Sequence, residues 1–177
     1  MNMQKVGPVG GYGARKLSTI WSEKGRDQVA GFRITYGKHS VYSLLFMYYE
    51  NARLVLSDRH GDCDDDEKRN YVPVVFDYPS EYLTSISCSV KHGPLLMFMA
   101  SIKFGTHKGS YGPFGSPSTD GNDIDFDLLI GNRRLFGGFH GSENCYGVGS
   151  IGVYLKTESN DQEGSSSNKA SKMTKIY

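Results

Sequence analysis

Residues 149–155 read GSIGVYL, and two earlier stretches have the same character, SLLFMYY at 43–49 and ASIKFG at 100–105. Each is a run of β-branched and aromatic residues, so each third of the chain contains a strand of one type. The first two lead to glycine-bearing segments, SDRHG at 57–61 and YGPFG at 111–115, which we interpret as tight turns; the matching GPVGG stands at 7–11. This order predicts three sheets about a pseudo-threefold axis, in which the first strand completes the last unit and few strand edges are exposed.

The chain up to residue 156 reads as short strands separated by turns. Alternation at period two is clear where Ile124, Phe126 and Leu128 alternate with aspartates. No stretch has the apolar spacing and caps of a three-turn helix. We therefore predict one all-β domain over residues 1–156, with residues 1–5 as a loose lead-in. The predicted strands are 29–36, 41–49, 52–56, 72–76, 82–90, 95–104, 124–130 and 150–155, and the predicted turns are GPVGGYG, SDRHGD, DYPSEY, YGPFGSP and FGGFHG.

Composition limits the kinds of partner. The chain has 177 residues, 20 Lys+Arg against 19 Asp+Glu and a net charge of +1, which argues against nucleic acid as a partner held by charge. The longest apolar runs are far shorter than the ~20 residues that span a bilayer, and the N-terminus lacks the apolar core of a signal peptide. Three scattered cysteines fit no disulfide framework. We expect a reduced, cytoplasmic protein without membrane contact, and a polar, disordered tail at 157–177.

Several motifs suggest chemistry that their surroundings do not support. Residues 147–152 match G-x-G-x-x-G, but no helix of a dinucleotide-binding unit follows. The acidic run at 63–67 lacks the spacing of a calcium loop and reads as a solvated loop. The five histidines have no partner at metal spacing, and His60 and His140, in SDRHG and GGFHG, are assigned a structural turn role. No G-x-S-x-G nucleophile motif occurs, so we expect a non-enzyme with no cofactor and no metal.

Five blocks of the sequence resemble the jacalin-related lectins of plants. They are GPVGGYG at 7–13, EYLTSIS at 81–87, SIKF to YGPFG at 101–115, FGGFHG at 136–141 and SIGVYL at 150–155, in the order and spacing of that family. The resemblance covers residues 5–156 and implies a β-prism I fold of three four-stranded Greek-key sheets with a sugar site at one end. Within the family, VLSDRHG at 55–61 and the DYPSEY–LTSIS stretch resemble jacalin-like proteins that restrict the long-distance movement of potyviruses.

The resemblance also implies where a sugar would bind. The family's site loop follows Gly-x-x-x-Asp just before the final SIGVYL-type strand; its carboxylate accepts from sugar hydroxyls and its backbone N–H groups donate. Here the two ends of that pattern are Cys145 and Gly149, so the carboxylate is missing. A second loop of this kind, assigned to residues 26–31, has Ala30 where an acid is expected. The degenerate candidate site is therefore Gly13, Ala14, Cys145, Tyr146, Gly147 and Gly149, with Glu143 and Asn144 as substitute acceptors.

Two functions follow from these observations, and the sequence leaves both open. The first is binding of a mannose- or glucose-type carbohydrate in plant defence, weakened or lost because Gly149 replaces the acid. The second is a protein–protein interaction module in antiviral restriction, built on a lectin scaffold that no longer binds sugar. The partner is accordingly a mannose-type glycan or another protein, and we expect a homo-oligomer.

Overall fold

The computed structural model describes residues 2–10, 17–62, 68–117, 124–130 and 136–157. Within these ranges the chain forms twelve strands and no helix, so none of them contains a helix long and apolar enough to cross a membrane. The strands are β1 (Met3–Gly10), β2 (Ser18–Ser22), β3 (Gln28–Tyr36), β4 (Val41–Glu50), β5 (Arg53–His60), β6 (Asn70–Val75), β7 (Leu83–His92), β8 (Met97–Thr106), β9 (Gly109–Gly115), β10 (Ile124–Leu129), β11 (Phe136–Asn144) and β12 (Gly147–Lys156).

The strands form three antiparallel four-stranded sheets, as predicted. The first sheet has the order β1-β12-β11-β2, the second β5-β4-β3-β6 and the third β10-β7-β8-β9. Met3 pairs with Lys156, so the first and last strands lie in one sheet. Each sheet forms one side of a prism, and each buries one face against the other two because alternate side chains point to opposite faces of a strand.

The three related stretches occupy equivalent strands. They lie in β4, β8 and β12, each an inner strand of its sheet, and β12 lies against both β4 and β8. The segments GPVGG, SDRHG and YGPFG also occupy equivalent positions in the three sheets, because they lie largely in the edge strands β1, β5 and β9. Their assignment as turns was wrong. Each of these strands shifts register against its inner neighbour, and in β1 and β9 the positive φ of Gly7 and Gly112 accompanies the bulge.

Three further expectations are corrected. FGGFHG lies in β11, not in a turn, and residues 3–5 belong to β1 and are not a loose lead-in. His60 and His140 accordingly lie in strands β5 and β11 and not in turns. The DYPSEY turn is confirmed at residues 78–80. Thr157 bonds the carbonyl of Asn2 through its backbone N–H at 3.0 Å and its hydroxyl at 2.8 Å; the rest of the predicted tail lies outside the described residues.

Aromatic side chains from different sheets meet in the interior of the prism. Phe46 of the second sheet stacks on Phe139 of the first, with ring centroids 4.0 Å apart. Phe32 of the second sheet stacks on Phe104 of the third, also at 4.0 Å. All four side chains are almost completely buried. Their burial stabilises the inward faces of the inner strands and thereby fixes the loops at the prism ends.

Candidate functional site

The candidate site lies on the hairpin that joins β11 to β12 through the two-residue turn at 145–146. This hairpin meets the β3–β4 and β7–β8 connections, so the three corresponding hairpins converge at one end of the prism. Ser40 of the β3–β4 connection donates its hydroxyl to the carbonyl of Tyr146 at 3.2 Å. At Gly147, φ is +112°, and a Cβ atom would lie 2.6 Å from the carbonyl oxygen of Val41. Only glycine allows this approach of the two backbones.

Asn144 uses both ends of its amide within the protein. Its Oδ1 accepts from the backbone N–H of Tyr146 at 2.9 Å, and its Nδ2 donates to the carbonyl of Met97 at 3.1 Å. The first bond is an Asx-type closure of the hairpin turn. It occupies one of the backbone donors that the family resemblance assigns to sugar. The second bond ties the hairpin to β8 of the third sheet.

Glu143 is tied to the second sheet. Its Oε2 accepts a short hydrogen bond from the backbone N–H of Gly61, the residue after the end of β5. Gly61 has a φ of +85° and sits so close to the carbonyl of Tyr42 that a side chain would not fit. No motif in the sequence marks this pair, whose members are 82 positions apart. The Glu143 carboxylate thus stabilises the junction of two sheets.

Gly149 lies in β12 at an irregularity of the β11–β12 ladder, where the pairing shifts between Ser142 and Glu143. The residue is buried. A Cβ at this position would lie 3.0 Å from both Asn144 Nδ2 and Ser142 Oγ, which are the ends of side chains and not backbone. Ser142 and Ser150 share a hydroxyl hydrogen bond of 2.7 Å beside it. The position that carries the carboxylate in the family pattern is therefore bordered by an amide and two hydroxyls.

The turn residues themselves present an exposed thiol and a packed ring. Cys145 is exposed and Tyr146 is half-buried. The Tyr146 ring packs against Phe98 of β8, with centroids 5.1 Å apart, and it borders Gly93 of the β7–β8 connection. Among the described residues, the Tyr146 ring thus packs the β11–β12 hairpin against the β7–β8 hairpin. Gly13 and Ala14, and the acidic run at 63–67, lie outside the described residues.

The structure places residues 26–31 away from this end. Lys156 at the end of β12 forms an ion pair with Asp27 at 3.4 Å, so this segment lies at the opposite end of the prism from Gly147. The segment connects the first sheet to the second and enters β3 at Gln28, whereas the β11–β12 loop joins neighbouring strands of one sheet. Its assignment as an equivalent site loop was wrong. The equivalent connections are 37–40 and 93–96.

The two buried histidines have structural partners. His60 Nε2 lies 2.9 Å from Glu23 Oε1, and its ring stacks on Trp21 at 4.0 Å. His140 Nε2 donates to the carbonyl of Val6 at 3.0 Å. Across the described ranges, no three His, Cys, Asp or Glu side chains are grouped as metal ligands.

Comparisons with known proteins agree with this geometry. Two Arabidopsis thaliana proteins, Protein RESTRICTED TEV MOVEMENT 1 and Inactive protein RESTRICTED TEV MOVEMENT 1, are each 36% identical over 86% of this chain and 86% of their own length. The solved structure of a mannose-specific jacalin-related lectin from Morus nigra superposes with a TM-score of 0.73 at 24% identity, covering 89% of this chain and 96% of that one. The family model of the jacalin-like lectin domain matches residues 6–154, and the chain therefore belongs to this family.

Proposed function

We propose that this chain is a protein-recognition module on a lectin scaffold, acting in the restriction of virus movement in plants, and that its β11–β12 end does not bind mannose. One observation carries the proposal. The two side chains predicted as substitute acceptors, Glu143 and Asn144, are engaged in hydrogen bonds within the protein, and Gly149 supplies no carboxylate. The relative named Protein RESTRICTED TEV MOVEMENT 1 supports the role in virus restriction.

Energetics supports the loss of sugar binding. A hydrogen bond to a charged acceptor contributes about 1.5–3 kcal/mol, so the missing carboxylate weakens binding roughly 10- to 150-fold. The Tyr146 N–H is a second loss, because a sugar hydroxyl must compete for it with Asn144 Oδ1. Sugar binding that depends on these few contacts should therefore be weak, with a dissociation constant above the millimolar range.

The second candidate function is binding of a mannose-type carbohydrate at the same end. It is favoured by the structural similarity to the mannose-specific lectin from Morus nigra, and by the ring of Tyr146, which is only half-buried at the turn. In this case Gly13 and Ala14 would supply backbone contacts and Glu143 Oε1 the acceptor. The cytoplasmic location, the absence of catalysis and the homo-oligomer stay predictions under either function.

A sugar titration separates the two candidates. The purified chain is titrated with methyl α-mannoside and a mannotriose by calorimetry and by ¹⁵N NMR. We expect no saturable heat and no shift of the amides of residues 143–149 at millimolar sugar. Saturable shifts at those residues would establish the second candidate. If no sugar binds, the first candidate is retained, and interaction partners are then sought among plant and viral proteins with the intact chain as bait.

A further inference from the structure

An open, solvent-facing cavity of about 460 Å³ lies at the end of the prism opposite the β11–β12 hairpin. Three strand ends form it, because β3 begins, β4 ends and β12 ends there. Its polar and aromatic lining residues are Asp27, Gln28, Tyr49, Asn51, Tyr78 and Lys156. None of them is used in the candidate site described above.

Two tyrosines form the aromatic part of the lining. The rings of Tyr49 and Tyr78 lie 4.1 Å apart at an angle of 31°, and both side chains are half-buried. Tyr49 is held at the end of β4, opposite Gln28 of β3, and Tyr78 lies in the turn at 78–80. Mutual packing restricts the two rings, so they offer a fixed apolar surface to a ligand at low entropic cost.

The charges of the lining cancel. Lys156 Nζ lies 3.4 Å from Asp27 Oδ1, with 21% and 63% of the side chains exposed. A charged ligand would therefore meet a like charge beside the opposite one, whereas a neutral ligand with hydroxyls can use the carboxylate as acceptor and the ammonium as donor. The amides of Gln28 and Asn51 supply further donors and acceptors on the same rim.

The β4–β5 turn fixes the position of Asn51. Asn51 and Ala52 have φ values of +49° and +58°. Alanine is disfavoured in this left-handed region, which asparagine tolerates and glycine prefers. The turn nevertheless places Asn51 at the rim of the cavity. Positive φ at both central residues is what a two-residue hairpin turn requires, so the turn holds Asn51 in one place.

We propose that this cavity binds a neutral saccharide, with one sugar ring on the Tyr49–Tyr78 surface and its hydroxyls bonded to Asp27, Asn51 and Lys156. A sugar ring has an apolar face and a rim of hydroxyls, which matches a lining of stacked aromatic rings with balanced charges and amides. The inference is independent of the proposed function, because it concerns the other end of the molecule.

The test uses ¹⁵N NMR on the intact chain with methyl α-mannoside, N-acetylglucosamine and cellobiose as probes. We expect saturable shifts of the Gln28, Asn51 and Ala52 amides with at least one probe. Tyr78→Ala should weaken that binding by up to roughly tenfold, because it removes one of the two aromatic rings on which the sugar would lie. Tyr71→Ala is the matched control, because Tyr71 is 68% exposed on β6 and lies outside the lining.

Asp27→Asn tests the same site without touching packing, since the Asp27 side chain is 63% exposed. This variant should weaken binding, and its NMR spectrum should keep the dispersion of the folded chain. It therefore still tests the proposal if Tyr78→Ala does not fold. The proposal is overturned if none of the probes shifts these amides at tens of millimolar, or if neither variant changes the affinity. Shifts confined to residues 143–149 also overturn it, and they contradict the proposed function as well, so the two failures are distinguishable.

Discussion

Under the proposed function, Gly149 and Asn144 are the residues that keep the β11–β12 hairpin from holding a sugar. Gly149→Asp should fold, because its Cβ would approach the ends of the Asn144 and Ser142 side chains to 3.0 Å and would lie at an ordinary contact distance of 3.5 Å from the nearest backbone atom, the Ser142 carbonyl oxygen. We expect this variant alone to stay without mannose binding, since Asn144 Oδ1 still occupies the N–H of Tyr146. The double variant Asn144→Ala/Gly149→Asp supplies the acid and releases that donor, and we expect it to bind methyl α-mannoside at millimolar concentration in calorimetry. Asn144→Ala alone is the control; binding by it, or by the wild-type chain, would contradict this account.

The missing acid at position 149 is visible in the sequence, but the use of its neighbours is not. Glu143 and Asn144 have the right chemistry for substitute acceptors, and their proximity to the loop was predicted. Their partners, Gly61 and Met97, are 82 and 47 positions away in the chain. A local pattern cannot reveal which polar groups become engaged when three sheets meet.

His140 gives the molecule a pH dependence that can be measured. Burial lowers the pKa of His140 below its ordinary 6.5, the nearby Lys5 acts in the same direction, and the hydrogen bonds to Val6 and Val153 oppose the change without reversing it. The unfolded chain therefore takes up this proton at a higher pH than the folded one, so stability falls as the pH drops below about 6.5. We expect His140→Gln, which keeps a donor for Val6, to reduce the slope of unfolding free energy against pH between 7 and 5. An unchanged slope in urea denaturation would exclude His140 as its source.

At the scale of elements, the sequence predicted the positions of most strands, but it did not predict the strand structure of the glycine-rich segments. Runs of β-branched and aromatic residues predicted β3, β4, β7 and β8 to within a few residues. GPVGG, YGPFG and FGGFHG were assigned to turns because glycine and proline usually interrupt strands. In the structure they lie in β1, β9 and β11, where bulges and close backbone contacts require glycine: a Cβ on Gly10 would lie 2.5 Å from the Gly149 carbonyl.

The connection from β6 to β7 depends on Glu81. Its buried carboxylate accepts from the Asp77 N–H at 3.0 Å, the Thr106 hydroxyl at 2.7 Å and the Tyr111 hydroxyl at 3.0 Å. Burial would raise the pKa of Glu81, but these hydrogen bonds outweigh it and lower the pKa from its ordinary 4.5. The carboxylate therefore stabilises the fold above about pH 4.5, and this contribution is lost as the pH falls below it.

Glu81→Gln should consequently lower the unfolding free energy by about 1.5–3 kcal/mol at neutral pH. The difference between the variant and the wild-type chain should shrink as the pH is lowered from 5 to 3, and urea denaturation at each pH measures it. Asp58→Asn is the control, because Asp58 is exposed on β5 and lies outside these contacts. A difference that stays constant with pH would mean that the Gln variant acts through packing and not through charge.

At the scale of the whole molecule, the internal similarity predicted the threefold arrangement, because each of the three similar stretches forms an inner strand of one sheet. The contacts that hold one sheet against the next were not predicted. Glu23, after the end of β2, is buried between the first and second sheets, with its Oε1 2.9 Å from His60 Nε2 and its Oε2 2.7 Å from Arg26. Arg26 also reaches Glu50 at 3.3 Å and lies over the ring of Tyr48.

This ionic cluster yields a prediction for the stability of the prism. Glu23→Gln keeps the shape of the side chain but removes the charge, leaving Arg26 and His60 without their shared carboxylate. Because removal of one member of a buried pair costs more than the pair contributes, we expect a loss of roughly 2–4 kcal/mol in urea denaturation. Asp62→Asn, which weakens an ion pair with Arg59 whose side chains are 60% and 50% exposed, should cost at most about 1 kcal/mol. If both variants cost the same, the buried cluster contributes no more to the junction of these two sheets than an exposed ion pair does.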